Sequence, residues 1–335
     1  MNGGSSVKAN SDMFSIKLAN YRCVWNYIHN SKVVTIPQIS KNTGLSLPTV
    51  TKAIDFSLGE GILCEAGLFG GERGRKAKAY SLNPDYAHFV LVYISDKKLS
   101  FEVHSFLSTV LKKGTVEIKN KNFLTPLDLL LEKLISEDGA VKMVGIAFPG
   151  NIRSGTIKAS QDFNFAVGFN LKTHISDRFS LPCFVENVLN VAVSSRLFGM
   201  KERAKVISVA FRFGNGGCRA GIVIDGELLK GAGCCSGTLS NMSVRCKYSN
   251  EEERYAELLR SVCALLDPNE VMLYPDGSNA KRVVALAFEA FGEQDVPRLE
   301  ERDFEKDVFI GFMVICKKEL LNPEHPGSVL GLDIK

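Results

Sequence analysis

Four basic residues fall within six positions at Arg73, Arg75, Lys76 and Lys78, shortly after a run of short polar or cationic side chains, Ser46, Thr49, Thr51 and Lys52. Cations at such density neutralise phosphates and release their counterions. Hydroxyl and ammonium groups of modest reach suit phosphate oxygens and base edges. The charge balance follows the same division. Before Asn83 the chain holds ten basic residues against five acidic ones, while the formal net charge of the whole chain is only +4. A positive excess confined to the first quarter, on a near-neutral remainder, is the footprint of a nucleic-acid-binding module joined to a neutral body.

Cysteine chemistry points elsewhere. The nine cysteines form no C-x-x-C pair, and Cys234 and Cys235 are adjacent, which is poor geometry for a mutual disulfide. They read as reduced thiols packed as small apolar groups, with no metal site and no cofactor. No apolar run approaches the roughly 18 residues that a membrane span needs, and the first twenty residues lack the apolar core of a secretory signal. A cytoplasmic protein with no membrane partner is expected.

The basic residues need elements to hold them. In "YRCVWNYIHN", Tyr21, Val24 and Ile28 share one helical face with Trp25 beside them. Pro37 suits the first turn of a short helix carrying Ile39. Gly44 permits a left-handed turn, and Ser46 is a natural N-cap for a second helix. On that helix Val50, Ala53, Ile54, Ser57 and Leu58 face inward, while Pro48, Thr51 and Lys52 face outward and Thr49 sits at the flank. Short helix, glycine turn and second helix make a helix-turn-helix. "ILCEAGLFGGERGRKAKAYSL" then reads as two strands around a glycine-rich tip, a basic wing carrying Arg73, Arg75 and Lys76. The residues expected to touch DNA are therefore Ser46, Pro48, Thr49, Thr51, Lys52, Arg73, Arg75 and Lys76.

From residue 88 the pattern changes to apolar strands alternating with helices, an α/β domain. Here the chain resembles the ROK group, which unites transcriptional repressors, sugar kinases and unassigned reading frames. "NYRCVWNYIHNSKVVTIPQISKNTGLSLPTVTKAI" is similar to the winged helix-turn-helix of its repressor branch. "GIAFPGNIRSGTI", "LPCFVENVLNVAVSSRLFG" and "AGIVIDGELLKGAGCCSGTLSNM" resemble its central motifs in the usual order. The resemblance implies a two-lobed actin-like ATPase (ribonuclease H-like) fold, dimeric or tetrameric, behind the DNA-binding module.

The departures from that pattern bear on chemistry. The first phosphate turn reads "ISDKK" with no glycine, and "GGCRAG" at 216–221 carries Arg219 where a glycine is usual. Arg219 reads either as an anion ligand or as a charged, solvent-exposed turn residue. Tyr274 and Pro275 replace the glycine pair expected near the adenosine. Val188 follows Asn187 where the kinases carry the aspartate that accepts the sugar hydroxyl proton, a role typically worth about 10² to 10⁴ in rate. Glu186 is expected to diverge from that position. The usual Glu and His of the sugar site are Thr238 and Asn241, and of the zinc-site cysteines only Cys246 remains.

The expectation is therefore a winged helix-turn-helix over 14–82 followed by a non-catalytic, two-lobed sugar-kinase-like domain over 83–335. Its function would be a DNA-binding regulator, a repressor of carbohydrate-related genes acting as a homodimer or homotetramer on a double-stranded operator. A sugar or sugar-phosphate effector would sit between the lobes near Gly150, Asn164, Asn187, Thr238 and Asn241. Two alternatives stay open: a sugar kinase with a fused DNA-binding module, and a regulator whose large domain takes no small ligand.

Overall fold

The structure is a computed structural model that describes residues 17, 19–21, 23–69, 76–198, 206–214, 217–239, 242, 248, 250–289 and 296–320. The chain divides into two compact units. One extends to His88 and takes in Ser105–Thr109; the other comprises Phe89–His104 and the chain from Val110.

In the first unit, helix α1 (residues 23–31) is followed by strand β1 (Val34–Thr35), α2 (Ile36–Thr43) and α3 (Leu47–Gly59). The Gln38 side chain accepts the Thr35 N–H at 2.9 Å and closes the start of α2. Gly44 ends α2 in the left-handed region at φ +74°, its N–H bonded to Ser40 O. Ser46 caps α3 by accepting the Thr49 N–H. Val24, Ile28, Ile39, Val50, Ala53 and Ile54 are wholly buried. Trp25 enters the same core and donates its indole N–H to Ser57 Oγ at 2.8 Å, so its one polar atom is satisfied. Strands β2 (Leu63–Phe69) and β3 (Ala77–Leu82) form the antiparallel wing, with β1 on the outer side of β3.

The second unit contains two five-stranded sheets. The first is built from β4 (His88–Ile94), β5 (Lys98–Ser105), β6 (Val110–Glu117), β7 (Val141–Phe148) and β10 (Cys183–Asn187), with β8 (Asn151–Arg153) and β9 (Thr156–Ala159) as a separate hairpin. The second is built from β11 (Ile207–Gly214), β12 (Gly217–Ile224), β13 (Glu227–Leu228), β14 (Glu270–Asp276) and β15 (Arg298–Glu301). Their orders, β10-β7-β4-β5-β6 and β13-β12-β11-β14-β15, are the same topology twice. In each, the second and third strands pair antiparallel and the fourth and fifth pair parallel. β4 is buried along its whole length, as expected of an unbroken apolar run at the centre of a covered sheet.

Each sheet has its own core. The first gathers Phe123, Phe148 and Phe163 with the stripe Leu127, Leu130, Leu131 and Leu134 of helix α4 (Leu124–Glu137). The second gathers Phe211, Phe213 and Leu273 with Tyr255, Leu259 and Val262 of α7 (Glu251–Leu266). Helices α5 (Leu171–Phe179) and α8 (Ala280–Phe288), together with the β8–β9 hairpin, add to the elements that the apolar pattern suggested. Between the two cores, α6 (Val188–Ser194) packs along α9 (Phe304–Leu320). At their crossing a Cβ on Gly311 would stand 1.8 Å from Val191 O, so this contact admits only glycine. No described helix is long and apolar enough to cross a membrane.

Candidate functional site

The outward face of α3 carries Pro48 and Lys52, both exposed, with Thr49 and Thr51 half-buried beside them. Its hydroxyls already have local partners. Thr51 donates to Leu47 O at 2.9 Å, and Ser46 Oγ and Thr49 Oγ1 lie 2.8 Å apart. Ser46 thus holds the start of the helix, and Lys52 is the side chain of this set with the longest free reach. In the wing, Lys76 is exposed and Lys78 forms an exposed ion pair with Glu65 at 2.7 Å. Arg73 and Arg75 lie outside the described residues.

In the second unit, the strand-to-helix junction is fixed by Asn187. Its Oδ1 accepts the N–H of Leu189 at 2.8 Å, capping α6, while its Nδ2 donates to Gly150 O at 2.7 Å. That bond ties the ends of β10 and β7 together, so Gly150 and Asn187 are brought into contact. Thr238 reaches Asn151 Oδ1 at a long 3.5 Å. Asn164 is exposed at the start of a 3-10 turn, and Asn241 lies outside the described residues.

A cavity of about 90 Å³ opens beside this junction, lined by Asn187, Val188, Gln161, Asp162, Arg212, Arg219 and Asp276 among others. Small-molecule pockets commonly measure about 300–1,000 Å³. Arg212 lies 4.3 Å from the Phe304 ring centroid and bonds Asp276 Oδ2 at 2.9 Å. Burial works against its charge, but Tyr93 and Asp276 outweigh that and raise its pKa. Tyr274 packs edge-on against Phe304 at 5.1 Å and donates to the buried Asp307 at 2.8 Å. Asp307 also takes two bonds from Arg302 at 2.7 Å. Lys98 meets Glu305 at 3.2 Å, linking β5 to α9. Pattern alone did not single out Arg212, Asp276, Tyr93 or Phe304, because none stands in a recognisable motif.

Two sequence readings are corrected here. Residues 217–221 are not a turn: β12 begins at Gly217, and Arg219 sits within the ladder directly opposite Arg212. Nor is Arg219 a solvent-exposed charge. It is half-buried, and burial pushes its pKa down, with Arg212 adding to that and Asp162 opposing it.

Glu186 is 3% exposed and turned away from Val188. Its Oε1 accepts from Asn187 N at 2.9 Å and Asn190 Nδ2 at 3.0 Å, and its Oε2 pairs with Lys230 at 2.5 Å. It lines a different cavity of about 220 Å³ with Lys172, Lys230 and Cys234. A proton acceptor committed to three donors and facing another space cannot serve a ligand beside Val188. Among the described residues no group of three or more His, Cys, Asp or Glu side chains could hold a metal ion; Cys246 lies outside them.

Residues 119–247 match the ROK family. The chain is 24% identical over 240 residues to a xylose repressor of Caldicellulosiruptor bescii, a match covering 68% of this chain and 59% of that one. It is 21% identical to a xylose repressor of Bacillus subtilis, covering 70% and 62%. The chain thus spans about three fifths of the length of these curated relatives. Among solved structures, a ROK family transcriptional regulator, a homolog of the E. coli MLC protein, superposes with TM-score 0.68 at 18% identity, covering 94% of this chain and 98% of that one. A ROK family glucokinase from Streptomyces griseus, in complex with glucose and AMPPNP, superposes at 0.55 with 14% identity, covering 68% and 99%.

Proposed function

With a ROK family domain as the premise, we propose that the chain is a DNA-binding regulator, a repressor of carbohydrate-related genes that performs no phosphoryl transfer. The observation that carries this reading is the pairing of an exposed α3 face and basic wing with a junction where Val188, not a carboxylate, follows Asn187. A helix-turn-helix presents its second helix to the major groove, and wing cations meet phosphates alongside. Phosphoryl transfer depends on a positioned base and a phosphate cradle acting together. Val188 supplies no base, and Arg212 lines the cleft with Phe304 packed against its guanidinium. The repressor names of the curated relatives support the same direction.

Binding would be to a double-stranded operator as a homodimer or homotetramer, through Ser46, Pro48, Thr49, Thr51, Lys52, Arg73, Arg75 and Lys76. A sugar-type effector would act from the neighbourhood of Gly150, Asn164, Asn187, Thr238 and Asn241. Effector control requires only that the ligand bind the DNA-free and DNA-bound forms with different affinity. The small cleft volume favours a second reading, in which the large unit takes no sugar and serves assembly alone. The test is selection of genomic fragments by the purified full chain, followed by anisotropy titrations with sugars. Sequence-selective binding at physiological salt is expected; binding that never exceeds that to random duplex sinks the proposal.

A further inference from the structure

The larger cavity, about 220 Å³, shares no lining residue with the cleft beside Val188. Four consecutive residues of β10, Cys183–Glu186, line it. Successive strand side chains point to opposite faces, so the cavity runs along the open edge of this outermost strand. Its two lysines are paired unequally. Lys230 is held by Glu186. Lys172, the second residue of α5, has no carboxylate within ion-pair distance among the described residues. Burial pushes the Cys183 thiol up to about 12 and the Lys172 charge pulls against it, so the ammonium lies close to the cavity wall. Its place in the helix adds to the imbalance. The first turn of α5 has no acidic residue, and the positive end of a helix dipole disfavours a cation. The base of the side chain is fixed. The N–H groups of Leu171 and Lys172 bond Gly155 O at 3.0 and 3.4 Å, and a Cβ on Gly155 would collide with Lys172 Cβ.

We propose that this cavity is a binding site for a small organic monocarboxylate, with Lys172 as its cationic anchor. One unpaired cation calls for one negative charge. Glu186 and Glu319 on the same wall would repel a second, which disfavours phosphate and dicarboxylates. Met143, Ile152, Phe184 and Val185 supply an apolar wall for a short carbon body, and Ser154 and Ser176 offer hydroxyls. The volume is well above the roughly 30 Å³ share of one water and below the roughly 300–1,000 Å³ of larger ligand sites, which fits a body of a few carbons. A carboxylate at Lys172 would supply the counter-charge that the first turn of α5 lacks. The site is separate from the cleft beside Val188 and stands whether or not the chain binds DNA.

The test is calorimetric titration of the full chain, at ionic strength held constant with chloride. The probes are butyrate and 3-methylbutyrate, the hydroxylated acids glycerate and gluconate, inorganic phosphate, and butyramide as the uncharged counterpart of butyrate. A monocarboxylate should bind, with butyramide and phosphate roughly tenfold weaker or worse. Lys172→Met should lose roughly tenfold or more in affinity, and Lys172→Arg should keep part of it. Location is read separately. The bound acid should slow alkylation by iodoacetamide of Cys234, which lines the cavity, and leave the exposed Cys23 unchanged. Preference for butyrate identifies a hydrocarbon body, and preference for glycerate or gluconate a hydroxylated one; either supports the site. No carboxylate binding by the wild type, equal binding of butyramide or phosphate, binding that survives Lys172→Met, or no protection of Cys234 overturns it. Parental unfolding transitions in the variants tie the loss to the ammonium rather than to the fold, and the Cys234 readout, made on the wild type, decides the site even where a variant unfolds.

Discussion

Glu186 and Val188 are two residues apart and line different cavities. The carboxylate closes on Asn187, Asn190 and Lys230, and the valine faces the cleft beside Arg212 and Arg219. The end of β10 therefore holds an acid that cannot reach the cleft and a cleft residue that has no acid.

Val188→Asp should not create a kinase. The new carboxylate would enter a site where Val188 is 5% exposed. Desolvating the new carboxylate costs about 1–3 kcal/mol, offset in part by Arg212 and Arg219 at the same cavity. Urea denaturation should show that loss, and a coupled assay with ATP and hexoses should stay at background. Turnover above background would show the rest of the machinery to be intact.

Arg75→Ala combined with Lys76→Ala should weaken DNA binding and flatten its salt dependence. Each phosphate contact contributes roughly 0.9 to the slope of log K against log salt, so the slope should fall by about 2. An unchanged slope over a salt titration would remove the wing from the interface.

Legibility in the sequence follows the range of the interactions. The helix-turn-helix was readable because its determinants are local: Gly44 makes the turn, Ser46 caps α3, and the inward stripe of Val50, Ala53, Ile54 and Ser57 repeats at helical spacing. The doubled sheet topology was not, since strand order is set by pairing across long separations. Lys98 and Glu305, 207 residues apart, have no shared pattern. Arg219 was misplaced for a related reason: two flanking glycines resemble a turn, but pairing with β11 extends them into strand. Glu186 diverges from Val188 because β10 ends at Asn187 and the chain turns into α6; strand alternation alone would put residues two apart on one face.

Gly311→Ala should cost about 2–4 kcal/mol. The obstacle to the new methyl group is the carbonyl of Val191, which cannot rotate aside as a side chain would. Chemical denaturation measures this. A variant as stable as the parent would mean that α6 and α9 separate without penalty.

Lys317→Met should remove one pH-dependent contribution to stability. Burial pulls the Lys317 pKa down from its ordinary value of 10.5 to about 8. Between these values the unfolded chain binds more protons than the folded one, so this residue's contribution becomes more favourable as pH rises through that window. Below about pH 8 it stays fully unfavourable. The difference in unfolding free energy between variant and parent should therefore shrink from pH 7.5 to pH 10. A constant difference would refute the shift.

The Gly311–Val191 contact also keys the register of α6 and α9. Main chain presses on main chain there, with no side chain to compress or slide along. Sliding α9 along α6 would bring the Cβ of a neighbouring residue toward the Val191 carbonyl, so the two helices fit closely at this one offset.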